Sequence, residues 1–160
     1  MMFRLLELIF DRQLDYYIDD AKREEIKSVL VSLLSELTER EEAILKYRFS
    51  LDTNDFHDLR DTAARYRVKE EDIENEINNA VIKLRHHNCI NKLADLVLVK
   101  QNYKITINNP NGGEDVFWKG HVLFDEAHNK FYEAVIGQEH GERFRSVHMY
   151  RDDELLFSET

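Results

Sequence analysis

The chain has 160 residues with a formal net charge of −10, and 42% of its residues are apolar. This length suits one domain or two small ones, with enough apolar residues for a hydrophobic core. Because phosphate groups repel an anionic protein, the charge argues against nucleic acids and anionic membrane surfaces as partners, unless a local basic patch outweighs it.

The first ten residues, "MMFRLLELIF", are apolar apart from Arg4 and Glu7. No small-residue cleavage site follows them, so an amphipathic helix is a simpler interpretation than a signal peptide. No uninterrupted apolar run approaches the roughly 20 residues that span a bilayer. The single cysteine, Cys89, excludes an intramolecular disulfide bond and a cysteine-rich zinc site. We therefore predict a cytoplasmic protein with no membrane partner.

A helical part extends to about Val99, because the chain up to that point contains neither glycine nor proline and its apolar residues recur at helical spacing. The clearest apolar stripes consist of Leu30, Leu33, Leu34 and Leu37, and of Ile73, Ile77, Ala80, Val81 and Leu84.

The stretch "TERE" fits a capping box, a reciprocal arrangement at the start of a helix. In it, Thr38 accepts a hydrogen bond from the backbone N–H of Glu41, and the Glu41 side chain accepts one from the N–H of Thr38. We expect a helix to begin here, to run through "EAILKYRF" and to end around "SLDTND", where short polar side chains compete for backbone hydrogen bonds.

A second short helix fits "FHDLRDTAARY", and the link "YRVK" then leads to a long helix from Glu70 to about His86. Two helices joined by a turn of three to four residues form a helix-turn-helix, in which small residues such as Ala63 and Ala64 suit the tight crossing. Short helix pairs also occur in many helical bundles, so this spacing alone leaves both interpretations open.

From Glu24 to about Val97 the chain resembles region four of the primary bacterial sigma factors. The residues that carry the resemblance are "LTEREEAILKYRFSLD", then Leu59, Ala64, Tyr66, Val68, Ile73, Ala80, Val81 and the closing "KLRH". The resemblance implies a helix-turn-helix domain whose recognition helix reads the −35 promoter element. It also implies an apolar surface that binds the flap of the RNA polymerase β subunit.

The resemblance assigns the start of the recognition helix to six residues, Lys69, Glu70, Glu71, Asp72, Glu74 and Asn75. Lys69 stands where the family has a threonine that caps the helix and contacts phosphate. Glu70, Asp72 and Glu74 stand where the family has arginines that contact bases and phosphates. Asn75 replaces a family glutamine and retains the ability to hydrogen-bond an adenine edge.

Five basic side chains flank this acidic centre as candidate phosphate contacts: Arg60, Arg65, Arg67, Lys83 and Arg85. Each phosphate that a basic side chain neutralises raises the affinity for DNA and adds about one unit to the slope of log K against log salt concentration. Acidic residues where the family has arginines remove that affinity and repel the phosphates. We predict a transcription regulator without enzymatic activity that acts mainly through protein contacts. Its partner would be the RNA polymerase β-flap, a sigma-related protein or another basic protein.

Two alternatives accompany this interpretation. The first is a sigma-like transcription factor that binds DNA directly, although weakly. The second explains the carboxylates as ordinary negative charge at a solvated helix N-terminus, where it is favourable beside the helix dipole.

Beyond Lys100 all five glycines and the only proline appear, and the apolar period changes to two. The predicted strands are "YKITI", "VFWKGHVLF", "FYEAVIG", "FRSVHMY" and "ELLFS", separated by the turn signals "NNPNGG", "DEAHNK", "GQEHGE" and "YRDDE". The sequence thus predicts an α+β chain, with a helical helix-turn-helix domain over 1–99 and a small antiparallel β-meander over 100–160. No family resemblance identifies the second part.

No cofactor or metal site is predicted. His86, His87 and Cys89 are close in sequence, but neighbours on a helix point in different directions and no second ligand cluster completes four-coordination. No nucleophile–base–orienter spacing is discernible, so a small enzyme in the β part ranks as a third alternative. The aromatic residues expected mainly in the core of the sheet are Tyr103, Phe117, Trp118, Phe124, Phe131, Tyr132 and Phe144.

The last predicted strand, "ELLFS", is expected to be a sheet edge with unpaired backbone groups. Asp152, Asp153 and Glu154 precede or begin it and would repel a like copy. We therefore expect the sheet to dock on the helical part or on a basic partner rather than to pair with itself. A homodimer through the helices stays an open alternative.

Overall fold

The structure of the chain is a computed structural model that describes residues 2–15, 18–53, 55, 57–88, 90–108, 113–139 and 146–159. The chain divides into two units, Met1–Val97 and Leu98–Thr160. Helices form the first and an antiparallel sheet with one helix forms the second, which confirms the predicted α+β class. That 1–99 and 100–160 are independent domains stays a prediction.

The described part of the first unit contains six helices. They are α1 (Met2–Phe10), α2 (Asp20–Leu34), α3 (Glu39–Arg48), α4 (Leu59–Tyr66), α5 (Glu70–Arg85) and α6 (Ile90–Val97). The predicted amphipathic first helix is confirmed as α1, which buries Leu5, Leu6 and Ile9.

Capping residues determine where α3 and α4 begin. The predicted capping box is confirmed, because Thr38 accepts from the backbone N–H of Glu41 while the Glu41 side chain accepts from that of Thr38. A second capping box joins Asp58 and Asp61 at the start of α4. The Asp58 cap explains why α4 begins at Leu59, later than the sequence predicted.

A tight turn joins α4 to α5, as the helix-turn-helix interpretation requires. Arg67 ends α4 in the left-handed region with φ of 54°, and the backbone N–H of Val68 donates to the carbonyl oxygen of Ala63 at 3.1 Å. Ala63 is buried at the crossing, whereas Ala64 is exposed. Beyond the turn, the predicted apolar stripe of α5 forms part of the core of the unit.

The core of the first unit combines apolar side chains from α1, α2, α3, α5 and α6. α5 has a central place in it, since α1, α3 and α4 all pack against this helix, while α6 packs against α2. The fully buried large side chains are Leu5, Leu6, Ile26, Leu30, Leu33, Leu34, Ile44, Leu45, Ile73, Leu84 and Leu93.

The second unit has four described strands and one helix. They are β1 (Gln101–Asn108), β2 (Glu114–Val122), α7 (Phe124–Glu139), β3 (Ser146–Arg151) and β4 (Glu154–Glu159). The sheet is antiparallel with the order β2-β1-β3-β4. β1 is therefore central, and the connection between β2 and β3 passes through α7 instead of forming the direct turn of a simple meander.

The prediction of a strand at "FYEAVIG" and of a turn at "DEAHNK" is wrong, because both stretches lie within α7. Phe124, Ala127, Phe131 and Ala134 recur at helical spacing and pack in the core against β1 and β3. Two carboxylates in the first turn add favourable charge at the helix N-terminus. The run of apolar residues that begins at Phe131 is short, and a short run fits the periodicity of a strand as well as that of a helix.

A β-bulge breaks the predicted alternation of β2. Ile105 pairs with Trp118 and Thr106 pairs with Val116, which leaves Phe117 as an extra residue. Trp118 packs against the core, whereas Val116 and Phe117 are exposed. The expectation that the aromatic residues are buried is thus wrong for Phe117.

The expectation of burial is also wrong for Tyr132, which lies on the outer face of α7 with half of its side chain exposed. Phe144 lies outside the described residues. None of the helices in the described ranges has the length and hydropathy that crossing a bilayer requires.

Candidate functional site

The N-terminus of α5 lacks a side-chain cap. Lys69 occupies the N-cap position and its side chain makes no capping hydrogen bond to the first backbone N–H groups of the helix. Glu70, Glu71 and Asp72 lie in the first turn, where negative charge interacts favourably with these groups. This local effect explains part of the acidity at the start of α5.

Glu70, Glu71, Asp72 and Glu74 are all exposed, and together they form what is called here the acidic patch. Among the described residues, none of these four carboxylates makes an ion pair with a basic side chain. Asn75 is exposed beside them. The patch is therefore an uncompensated anionic surface at the end of the helix-turn-helix.

Glu76, one turn further along α5, is neutralised from α3. Its carboxylate accepts two hydrogen bonds from the Arg40 guanidinium, at 2.7 and 2.8 Å. The hydrogen bond from Arg40 holds the pKa of Glu76 below its usual value. Arg40 also lies over the Tyr66 ring, with 5.6 Å from its Cζ atom to the ring centre. Arg40 thus links α3 to both helices of the helix-turn-helix.

Lys83, a candidate phosphate contact, is engaged within the protein. Its Nζ atom donates to Oε1 of Glu41 at 2.5 Å. The other carboxylate oxygen of Glu41 accepts from the hydroxyl and backbone N–H of Thr38, so one side chain both caps α3 and pairs with α5. The hydrogen bond from Lys83 is the largest cause of the lowered pKa of Glu41.

Two of the candidate arginines also have intramolecular contacts. The Cζ atom of Arg65 lies 4.4 Å from the centre of the Tyr47 ring, a cation–π geometry. Nη2 of Arg85 donates to the backbone carbonyl oxygen of Leu8 at 2.5 Å. Arg60 and Arg67 are exposed on α4 and at its C-terminus.

Exposed contacts of this kind stabilise the fold by about 0–1 kcal/mol each. A DNA phosphate could therefore replace the intramolecular partner of one of these basic side chains at little cost in free energy. The contacts of Lys83, Arg65 and Arg85 therefore do not by themselves exclude DNA. The exposed carboxylates at the start of α5 repel phosphate groups and so oppose DNA at this end of the helix.

α1 lies beside Glu74 of the acidic patch, a position that no local sequence pattern predicted. It packs against α5, and residues of α1, α5, the end of α3 and the start of α4 line an open groove with a volume of about 930 Å³. The groove is lined by Phe3, Arg4, Glu7, Leu8, Arg12, Gln13, Arg48, Phe49, Leu59, Glu74, Ile77 and Asn78. The amphipathic pattern predicted that one face of α1 is buried. It did not predict which helix that face packs against, because this depends on long-range contacts.

The other sequence candidates were two adjacent histidines and a nearby cysteine. His86 and His87 lie in the turn after α5, and Nε2 of His87 is 3.8 Å from Oε2 of Glu36. Cys89 lies outside the described residues. Within the described ranges, no three side chains of the metal-ligating types are grouped closely enough to hold a metal ion.

The second unit has a polar cluster on one face of its sheet. Ser146 Oγ lies 2.8 Å from Nε2 of His148, and Nδ2 of Asn108 is hydrogen-bonded to the same Ser146 Oγ at 2.8 Å. Nδ1 of His148 is buried and has no hydrogen-bond partner among the described residues, so no carboxylate within those ranges orients this imidazole. Glu114 instead accepts from Thr106 at 2.5 Å, a contact that lowers its pKa. The cluster joins strands through hydrogen bonds and lacks the third member of a nucleophile–base–orienter arrangement.

Known proteins with similar sequences include two sigma factors. RNA polymerase sigma factor SigA of Lactococcus lactis subsp. cremoris is 31% identical over 91 residues, which cover 57% of this chain and 25% of that protein. RNA polymerase sigma factor SigA of Lactococcus lactis subsp. lactis is 31% identical over 91 residues, with coverage of 57% and 24%. No family model and no solved structure matches the chain.

The chain thus spans about a quarter of the length of the curated relatives it matches. It contains a sigma-factor-like region, and the remaining part is not covered by that similarity.

Proposed function

We propose that the protein is a transcription regulator whose helix-turn-helix corresponds to sigma region four and acts mainly through contacts with other proteins. The resemblance of residues 24–97 supports the first half of the proposal, as does the similarity to proteins named RNA polymerase sigma factors. The second half depends on the acidic patch.

The exposed, uncompensated acidic patch is the observation that carries the proposal. A promoter-reading helix gains its affinity from cations that neutralise phosphates, and each such contact contributes to a steep salt dependence. In the family, arginines at the start of the recognition helix supply these cations. In this chain the corresponding residues, Glu70, Asp72 and Glu74, are anionic. A basic protein surface is the complementary partner for such a patch, because opposite potentials speed association and favour the correct pairing.

Within transcription, the candidate partners are the β-flap of RNA polymerase and a sigma-related protein. Binding assays with purified RNA polymerase, the isolated β-flap and primary sigma factors test this directly. We expect one of them to bind the wild-type chain, with an association rate that falls as salt rises. If none of the three binds, the proposed function is wrong.

A neutralised variant tests the role of the acidic patch in that binding. Glu70→Gln, Asp72→Asn and Glu74→Gln together remove three negative charges without changing side-chain size. We expect the association rate with the partner to fall by about tenfold or more at low salt.

The matched control changes three exposed carboxylates of α2, in Asp20→Asn, Glu24→Gln and Glu25→Gln. It alters net charge by the same amount on another surface of the same unit. Equal losses in both variants would show that net charge matters rather than the acidic patch.

Direct DNA binding is the second candidate, and the exposure of Asn75, Arg60 and Arg67 is the observation that favours it. A gel-shift series at rising salt separates the two functions. A DNA-binding protein shows affinity that falls steeply with salt. Weak binding with little salt dependence contradicts the DNA-binding alternative.

A further inference from the structure

We propose that the open groove beside α1 is a binding site for a free nucleotide, whose phosphate groups contact the arginines that line it. The inference goes beyond the function proposed above. The groove shares Glu74 with the acidic patch. Because nucleotide binding is measured on the chain alone, this test and the partner-binding assays can fail independently.

Three arginines line this one groove, in a chain with a net charge of −10. Arg4 belongs to α1, Arg12 follows the end of α1, and Arg48 is the last residue of α3. Among the described residues, neither Arg4 nor Arg48 makes an ion pair with a carboxylate. A guanidinium presents a planar fork of N–H donors that matches a phosphate group. Arginines grouped in this way indicate an anionic ligand.

Arg48 is held in place before any ligand binds. Its Nη1 atom donates to the carbonyl oxygen of His57 at 2.7 Å, and its Cζ atom lies 5.4 Å from the centre of the Phe49 ring. The same guanidinium carries further N–H donors that this hydrogen bond does not use. Since the side chain is already half-buried and oriented, binding an anion through those donors costs little side-chain entropy.

Two carboxylates also line the groove, and they reduce its positive charge without cancelling it. Oε1 of Glu7 accepts from the backbone N–H of Leu14 at 3.3 Å, whereas Glu74 is exposed. Three cations and two anions give the groove the opposite sign of charge to the whole chain. A compact anion fits it better than a long nucleic acid does, because the acidic patch repels additional phosphates.

The remaining side chains suit the base and sugar of a nucleotide. Phe3 and Leu8 supply apolar surface, and Leu8 is 43% exposed. Gln13 and Asn78 each carry a carboxamide, which both donates and accepts and so matches a base edge or a sugar hydroxyl. The volume of about 930 Å³ is in the usual range for a small-molecule site. The groove thus combines phosphate-binding, polar and apolar side chains.

Isothermal titration calorimetry of the full chain in metal-free, low-salt buffer tests the class of ligand. The ligands are ATP, GTP, adenosine and inorganic triphosphate. We expect ATP or GTP to bind about tenfold more tightly than both adenosine and inorganic triphosphate, because only a nucleotide contacts the arginines and the apolar surface together. The proposal is overturned if neither nucleotide binds, or if adenosine or inorganic triphosphate binds equally well.

Three substitutions, each of one charge, test whether the groove is the site. Arg4→Gln removes an exposed cation from the groove and should weaken binding of the nucleotide about tenfold. Glu74→Gln removes an anion from the same groove and should strengthen binding about twofold to threefold. Lys92→Gln removes an exposed cation from α6, away from the groove lining, and should change the affinity by less than about twofold.

The signs of these changes decide the outcome. Weaker binding with Glu74→Gln, no loss with Arg4→Gln, or equal losses with Arg4→Gln and Lys92→Gln would each overturn the proposal. Glu74→Gln also separates the two proposals, because it removes a charge that attracts a basic protein partner and should slow association with that partner.

A short single-stranded DNA distinguishes a free nucleotide from a nucleic acid as the ligand. Fluorescence anisotropy at the same salt concentration should show binding about tenfold weaker than that of the free nucleotide, since the acidic patch repels the additional phosphates. DNA that binds as tightly as the free nucleotide, or more tightly, would assign the groove to nucleic acid and overturn the proposal.

Discussion

At the scale of single residues, Glu41 connects two elements through one carboxylate. It closes the capping box with Thr38 and accepts a hydrogen bond from Lys83 of α5. Since glutamine also fits the capping box, Glu41→Gln removes only the ion pair, whereas Glu41→Ala removes both interactions. The two substitutions therefore separate the capping contribution from the electrostatic one.

We expect Glu41→Gln to cost about 0.5 kcal/mol or less, because Lys83 is half exposed, and Glu41→Ala to cost about 1 kcal/mol. The folded pKa of Glu41 is depressed, so its electrostatic stabilisation is present above the unfolded pKa of about 4.3 and is lost as pH falls through the folded pKa. Urea unfolding at pH 7 and at pH 3 measures this. A Glu41→Gln difference that is as large at pH 3 as at pH 7 would contradict it.

His128 is a second residue with a defined pH dependence. It is 6% exposed and stacks on Phe124 with 5.3 Å between ring centroids, near the rings of Phe131 and Phe157. Burial lowers its pKa below the usual value of 6.5. The unfolded chain therefore takes up a proton at a higher pH than the folded chain does.

Stability of the second unit should accordingly be complete above about pH 6.5 and should decline as pH falls from there toward the folded pKa of His128. His128→Phe keeps an aromatic ring and removes the titration, so its unfolding midpoint should vary less between pH 7 and pH 5. Unfolding followed by the fluorescence of Trp118 reports on this unit. Parallel pH profiles in the two proteins would contradict the assignment.

At the scale of elements, β2 requires a glycine at position 120 because the ring of Trp118 lies against the backbone there. A Cβ atom on Gly120 would lie 2.5 Å from Cζ2 of Trp118. Gly120→Ala should therefore displace the Trp118 ring from its packing, at a cost of about 1–3 kcal/mol. Lys119→Ala, on the neighbouring exposed residue, should stay within about 0.5 kcal/mol. Thermal unfolding and the fluorescence maximum of Trp118 measure both effects.

α5 should tolerate reversal of its acidic patch. Glu70→Arg, Asp72→Arg and Glu74→Arg together replace exposed carboxylates, and exposed substitutions usually change stability by about 0.5 kcal/mol or less each. Three cations beside the positive end of the helix dipole add a small further cost. We expect the variant to gain DNA affinity that falls steeply with salt in gel shifts. Loss of the circular dichroism spectrum would instead show that the carboxylates are needed for folding.

The sequence predicts an element well where the signal is local. Thr38 begins α3, the spacing from Ile73 to Leu84 gives α5, and the alternation of Tyr103 and Ile105 gives β1. α7 was missed because Phe131 and Tyr132 are adjacent apolar residues, which a strand and a helix explain equally well. The site depends more on long-range contacts. The positions of the acidic residues on α5 follow from helix periodicity, whereas the partners of Lys83 and Arg85 and the place of α1 depend on packing that no local pattern encodes.

At the scale of the whole molecule, we consider whether two copies of the chain associate through the edge of the sheet. β4 is an edge of the sheet, and Asp152, Asp153 and Glu154 lie at its start, where like charges oppose pairing between copies. We expect the full chain and a chain ending at Val99 both to sediment as monomers at micromolar concentration. A dimer that becomes a monomer on truncation would identify the sheet as the oligomerisation element.

Because β1 pairs with both β2 and β3, we expect the second unit to form its sheet in two steps. The pairing of β1 with β2 joins neighbours in sequence, and such local contacts form early. The pairing with β3 joins residues separated by all of α7 in the chain, so we expect it to form later. Until then the second edge of β1 would have no partner strand, and we expect the folding chain to be prone to aggregation during this interval.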